Sequence, residues 1–179
     1  MSLPTLQLPM LKLNKLIAGG RGLAPVLIKR AAQVSLDWAA RQLAQVNTTD
    51  SQGRAVSAEL PAGSMLRAGD VLVAEDGSLV QVLAAPEAVL RVRACASHGS
   101  PLDLLRAAHW LGLRQVAVSV ALDQLTLAAD ANLAGLLRGQ DLIVTEGQAP
   151  FEPERSAAGQ HGHGHDHSAH DHGHHGHNH

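Results

Sequence analysis

From Val89 onwards the apolar residues change period in a set order, and that order limits the fold more than any other feature of the chain. Val89–Ala94 (VLRVRA) reads as a strand. Ser100-Pro101-Leu102-Asp103 then reads as a helix start, with Ser at the N-cap, Pro at the first helical position and an acid in the first turn. Leu105, Ala108 and Leu111 recur at helical spacing, and Gly112 is placed to close the helix in a left-handed conformation. Val116, Val118, Val120 and Leu122 share one face of a strand, and Gln124–Ala128 is another. Asp130 caps a second short helix with Leu133, Leu136 and Leu137 inward, stopped by Gly139, and Leu142–Thr145 forms a last strand. Strand, helix, strand, strand, helix, strand is the split βαβ, ferredoxin-like (βαββαβ) arrangement. It is expected over residues 88–150.

The first half keeps a shorter rhythm. Leu11 and Leu13 alternate, and so do Val34, Leu36 and Trp38. Ile28–Gln45 carries Ala, Arg and Gln that would also suit a helix, but its first part reads as strand. Asp50-Ser51-Gln52-Gly53 is a turn cluster between two strands, Gln45–Thr49 and Arg54–Leu60. Val71-Leu72-Val73 leads to Asp76-Gly77, a hairpin signal, with Leu79–Leu83 as the return strand and Pro86 as its stop. A small antiparallel β domain, a barrel or sandwich of short strands, is expected over residues 1–87. The whole is α+β, with a boundary near Pro86–Leu90. Aromatics are only 2% of the chain, so any core is built from Ala, Leu and Val. Such cores suit two compact subdomains better than one large one.

Residues 151–179 leave the folded body. Ten of the twelve histidines stand in HGHGHDHSAHDHGHHGHNH: His161, His163, His165, His167, His170, His172, His174, His175, His177 and His179. Nothing in that stretch is larger than Ala and apolar, so it cannot bury enough surface to offset the entropy of ordering. A disordered tail is expected. Neutral imidazole offers a lone pair near neutral pH without a large deprotonation cost. Many imidazoles on one string make each further metal bond intramolecular. The donors suit Ni(II), Zn(II), Cu(II) and cobalt. Asp166 and Asp171 can add carboxylate oxygens. A purification tag repeats His without interruption, whereas Gly, Asp and Ser interrupt this tail; a solvated spacer is the other bland reading.

The remaining composition narrows the function classes. Formal charge is −2 with no basic stripe, so no nucleic-acid partner is expected. A single cysteine, Cys95, rules out an intrachain disulfide framework and a CxxC zinc site. The start MSLPTLQLPMLKLNKLIAGG lacks the order of a signal peptide, and no apolar run is long enough to span a membrane, so a cytoplasmic protein is expected. There is no GxSxG, no P-loop and no GxGxxG after a strand, and an enzyme is not expected. Asp123, Asp130, Glu152 and Glu154 read as caps and linker charges. His98, in the loop before the first helix of the second half, and His109, inside that helix, read as ordinary surface or partly buried histidines, with additional metal ligands as the alternative. Cys95 reads as a small buried residue, with a joint Cys95–His98 site as its alternative.

Several stretches together resemble the urease accessory protein UreE family. They are GDVLVAEDGS (Gly69–Ser78), AAHWLGLRQVAV (Ala107–Val118) and above all APFEPE (Ala149–Glu154) ahead of a His-rich end. The resemblance implies a nickel metallochaperone with a β domain for peptide, a ferredoxin-like metal-binding domain and a His-rich tail. It also implies a cytoplasmic homodimer joined through the second domain. The implied partners are the urease accessory GTPase and the urease apoprotein–accessory complex. The family pattern Leu-Gly-Asn-Arg-His, whose His bridges a metal between subunits, appears here as Leu111-Gly112-Leu113-Arg114-Gln115. Ala128-Ala129-Asp130-Ala131 stands where the family often has histidines, and Leu60-Pro61-Ala62-Gly63 replaces Leu-Pro-Arg-Gly. An amide oxygen is a poor nickel ligand beside imidazole, so metal capture is expected to rest on the tail. The alternatives are a metal store or buffer without delivery, and a protein-interaction module of urease assembly with a degenerate body site.

Overall fold

The computed structural model describes residues 10–155; residues 1–9 and 156–179, with all ten tail histidines, lie outside that span. The expected disorder of the tail therefore falls outside the described residues. Within the span the chain is mixed α+β, with two sheets and four short α-helices.

The first sheet contains β1 (Leu11–Ile17), β2 (Ala32–Leu36), β3 (Gln45–Thr49), β4 (Ala55–Glu59), β5 (Val71–Ala74) and β6 (Leu79–Ala84). Their order across the sheet is β2-β6-β5-β1-β4-β3. The two local hairpins, β3–β4 and β5–β6, pair as expected. An all-antiparallel domain is not what forms, however. β1 runs parallel to β4, with Leu11 beside Val56, and β2 runs parallel to β6, with Ala32 beside Val80. These partners are far apart in sequence, so no turn chemistry announces them. Leu13, Val34, Val56, Leu72, Val80 and Val82 form the core of this half. Each large apolar side chain removed from water contributes about 1.5–3 kcal/mol.

Between β1 and β3 the chain breaks its alternation twice. Pro25–Arg30 is a helix, α1, opened by proline, and not the start of a strand. After β2, Asp37 caps a single helical turn, α2 (Trp38–Arg41), by accepting the Ala40 N–H at 2.8 Å. Trp38 thus leaves the strand that its spacing from Leu36 suggested. The turn carries Trp38 and Arg41 to the second half of the molecule.

Ala85 alone separates β6 from β7 (Pro86–Ala94). The second half continues with α3 (Pro101–Leu113), β8 (Val118–Val120), β9 (Leu125–Ala128), α4 (Ala131–Arg138) and β10 (Leu142–Pro150). Its sheet is antiparallel, ordered β10-β7-β9-β8. β10 is longer than its alternation suggested, and it follows β7 from Leu142 beside Ala94 to Pro150 beside Pro86. The ladder ends on two prolines, neither of which has an N–H to extend it. Leu90, Val92, Leu104, Ala107, Leu111, Leu125, Leu127 and Leu137 form the second core.

The inward faces of the helices match expectation at Leu111 and Leu137, with Ala108 and Leu133 partly buried against the same core, but not at Leu105 and Leu136. Leu104, Ala107 and Leu111 are the buried residues of α3, and Leu105 is exposed; in α4, Ala134 and Leu137 are buried and Leu136 is exposed. β8 is only three residues long, and Leu122 beyond it is fully exposed. The end of α3 also differs. Gly112 stays helical, and Gln115 takes the left-handed conformation at φ 57°. The Gln115 N–H donates to the Gly112 carbonyl and the Val116 N–H to the Leu111 carbonyl, the two bonds of a Schellman motif. Val116 packs on the cluster that contains Leu111, which accounts for the shift, since the motif is completed by an apolar residue after the left-handed one. Among the described residues, no helix is long and apolar enough to cross a membrane.

Candidate functional site

Phe151–Arg155, beyond β10, belongs to no strand, yet Phe151 and Pro153 within it are buried. Phe151 is fully buried and meets Trp38 edge-to-face, ring centroids 6.1 Å apart. The fully buried Arg41 donates to the Phe151 carbonyl, to Glu152 Oε2 and, through Nε, to the Asp37 carbonyl at 3.3 Å. Arg67 donates to the Pro153 carbonyl and faces Glu152 Oε1 as an ion pair without hydrogen-bond alignment. The Ala68 N–H donates to Glu152 Oε2 at 3.0 Å. Both guanidinium groups also lie over the Trp38 ring, at 5.2 Å for Arg41 and 5.6 Å for Arg67. On the other side the Glu154 N–H donates to the Val118 carbonyl at 2.8 Å, and its carboxylate accepts from the Val120 N–H at 3.4 Å. The Trp38 N–H donates to Glu87 at 2.8 Å, which adds another bond between the halves.

Glu152 and Glu154 are therefore more than linker charges. Together they strap the two sheets to each other. Sequence reasoning missed Trp38, Arg41 and Arg67, which receive the strap. The available signal was Phe151, the sole phenylalanine, placed among prolines and acids where a solvated linker has no use for it.

Beside the strap the two halves enclose a cleft of about 980 Å³, lined by Leu16, Trp38, Met65 and Arg67 on one side and Gln115 and Val118 on the other. Gln115 is exposed and opens onto this cleft. Arg114 beside it turns back over the Trp110 ring at 3.9 Å.

The expected body ligands stand apart from one another. His98 and His109 are both exposed, and nine residues of helix after Ser100 carry His109 about 13 Å along the axis. Cys95 is half-buried, not closed in the core; its Sγ lies 3.2 Å from the Ser97 hydroxyl and 3.7 Å from His98 Nε2. The Ser97 hydroxyl, followed by the N–H groups of Ser97 and His98, holds the thiol below its ordinary pKa. Gly99 makes this tight loop possible: its N–H donates to the Cys95 carbonyl at 2.8 Å, and a Cβ there would lie 2.5 Å from the Cys95 nitrogen. Among the described residues, no group of three or more His, Cys, Asp or Glu side chains is arranged to hold a metal ion. The ten tail histidines lie outside those residues.

Comparison with known proteins follows the same division of the chain. Residues 13–85 match the family model described as the UreE urease accessory protein, N-terminal domain, and residues 87–179 match that of the C-terminal domain. The urease accessory protein UreE of Methylibium petroleiphilum is 60% identical over 151 residues, covering 84% of this chain and 70% of the relative. That of Paracidovorax citrulli is 58% identical over 154 residues, 86% of this chain and 73% of the relative. That of Verminephrobacter eiseniae is 53% identical over 155 residues, 86% and 92% respectively.

Proposed function

The chain belongs to the UreE urease accessory protein family, and from that premise we propose that it captures Ni(II) and delivers it to the urease accessory complex during urease maturation. The observation that carries this reading is the string of ten imidazoles in residues 161–179, joined to a body of this family. Delivery needs a grip that captures and then lets go. Near-equivalent imidazole sets let an ion step from one set to the next without full dissociation. Zn(II) and Cu(II) would bind the same donors. His98 and His109 are additional ligands in this reading, each needing donors from elsewhere.

The same proposal takes residues 1–87 as a β domain, 88–150 as a ferredoxin-like metal-binding and dimerisation domain, and 151–179 as linker and metal-binding tail. The strand order β10-β7-β9-β8 with α3 and α4 between strands supports the ferredoxin-like assignment. The working form is a cytoplasmic homodimer, with the urease accessory GTPase and the urease apoprotein–accessory complex as partners. It has no enzymatic activity of its own.

Nickel titration by calorimetry of the full chain and of a chain ending at Gly159 tests the reading. The shortened chain is expected to lose most of the bound nickel; equal stoichiometry would overturn it. Gln115 at the family's ligand position favours a second reading, an interaction module of urease assembly. Full urease activity at low nickel in cells carrying only the shortened chain would support that module instead.

A further inference from the structure

The contacts around Trp38 have the form of a receptor and its ligand. One surface, on the first half, offers an aromatic face, two guanidinium groups and the Ala68 N–H. The other, Phe151-Glu152-Pro153, supplies an aromatic ring, a carboxylate and two main-chain carbonyls. Every one of these contacts to the first half is made by a side chain or by the Ala68 N–H, and none is a rung of a strand ladder. The segment can leave without unzipping either sheet. The charge is also unbalanced: two guanidinium groups face the single Glu152 carboxylate, because the Asp70 carboxylate is occupied by the Arg67 and Gly19 N–H groups and Glu87 by the Trp38 N–H. Arg67 and Trp38 also line the open cleft, so an incoming chain has a path to them.

We propose that Trp38, Arg41, Arg67 and the Ala68 N–H form a receptor for an extended aromatic–glutamate–proline segment, closed in cis by Phe151–Pro153. A partner protein presenting the same chemistry displaces the strap. The displaced strap leaves the Ala85 link and the Trp38 N–H bond to Glu87 to join the halves at this point. The cis segment competes at high effective concentration, so the receptor answers only to a partner already held nearby. Metal plays no part in this recognition, so the inference stands apart from the nickel reading.

The test uses the full chain and a fluorescent peptide of residues 149–154, Ala-Pro-Phe-Glu-Pro-Glu, followed by anisotropy. A Phe151→Ala/Glu152→Ala chain, shown to be folded by circular dichroism, is expected to bind the peptide at least about tenfold more tightly than the unaltered chain. Adding Arg67→Ala is expected to weaken that binding by about tenfold, the size of one lost charged hydrogen bond. If the double variant fails to fold, Glu152→Gln keeps the strap's shape and removes its charge, and the same ranking against the unaltered chain is expected. Equal binding by the opened and unaltered chains, no binding by a folded opened chain, or indifference to Arg67→Ala would each overturn the proposal.

Discussion

Gln115 has a side chain where the backbone favours none. Its φ of 57° is the left-handed conformation, in which a Cβ crowds the following carbonyl. The Schellman bonds of α3 hold it there. Glycine adopts this conformation without that cost, although it gives up more entropy on folding. Gln115→Gly is therefore expected to raise stability by up to about 1 kcal/mol, seen as a later urea midpoint with an unchanged slope. An unchanged or earlier midpoint would show that the side chain, in the cleft, makes up for the strain. At this scale the caps were legible from residue type alone: Ser100 and Asp103 form a reciprocal capping box, and Asp130 accepts the Leu133 N–H. The left-handed residue was not legible, because a glycine three positions earlier carried the usual signal.

Local elements follow from local chemistry, and distant pairings do not. The β3–β4 hairpin was readable because Asp50 builds its own turn. Its carboxylate accepts N–H bonds from Gln52 at 2.9 Å and Arg54 at 3.0 Å, and it meets the Arg54 Nε at 2.8 Å. Burial pushes the Asp50 pKa up, but those bonds outweigh it and the net shift is downward. A carboxylate with a lowered folded pKa contributes stability above its unfolded pKa, and that contribution is lost as pH falls through the folded value. Asp50→Ala is expected to cost about 2 kcal/mol near neutral pH, and thermal melts should show the gap to the unaltered chain closing as acid is added. A gap that widens in acid would contradict the assignment. The parallel pairs β1–β4 and β2–β6 left no comparable trace, because their partners are far apart in sequence and no turn joins them directly. Leu105 and Leu136 misled the helix faces for a related reason. In helices this short, the neighbouring positions Leu104 and Leu137 are equally apolar, and only the sheet beneath decides which turns inward.

Across the whole molecule, the two halves were visible as a change of rhythm near Pro86, but the strap joining them was not. Its binding surface comes from Trp38, Arg41 and Arg67, whose meeting with Phe151 and Glu152 depends on both sheets being in place. The candidate metal ligands are the opposite case, an expectation that rests on composition alone, since all ten tail histidines lie outside the described residues. Protonated imidazole has no lone pair to give. Nickel held by the full chain near neutral pH is therefore expected to be lost on dialysis at about pH 5, as metal analysis would show. Retention at that pH would assign the ion to donors other than histidine.

The position of β1 carries one more implication, for how the molecule is made. β1, which precedes the other described strands in the chain, sits in the interior of its sheet, between β4 and β5. Leu13 has neither neighbour until Ala58 and Ala74 have been synthesised. A nascent chain therefore holds β1 without its sheet partners until β4 and β5 have both been made, a non-local pairing that favours late closure of this domain.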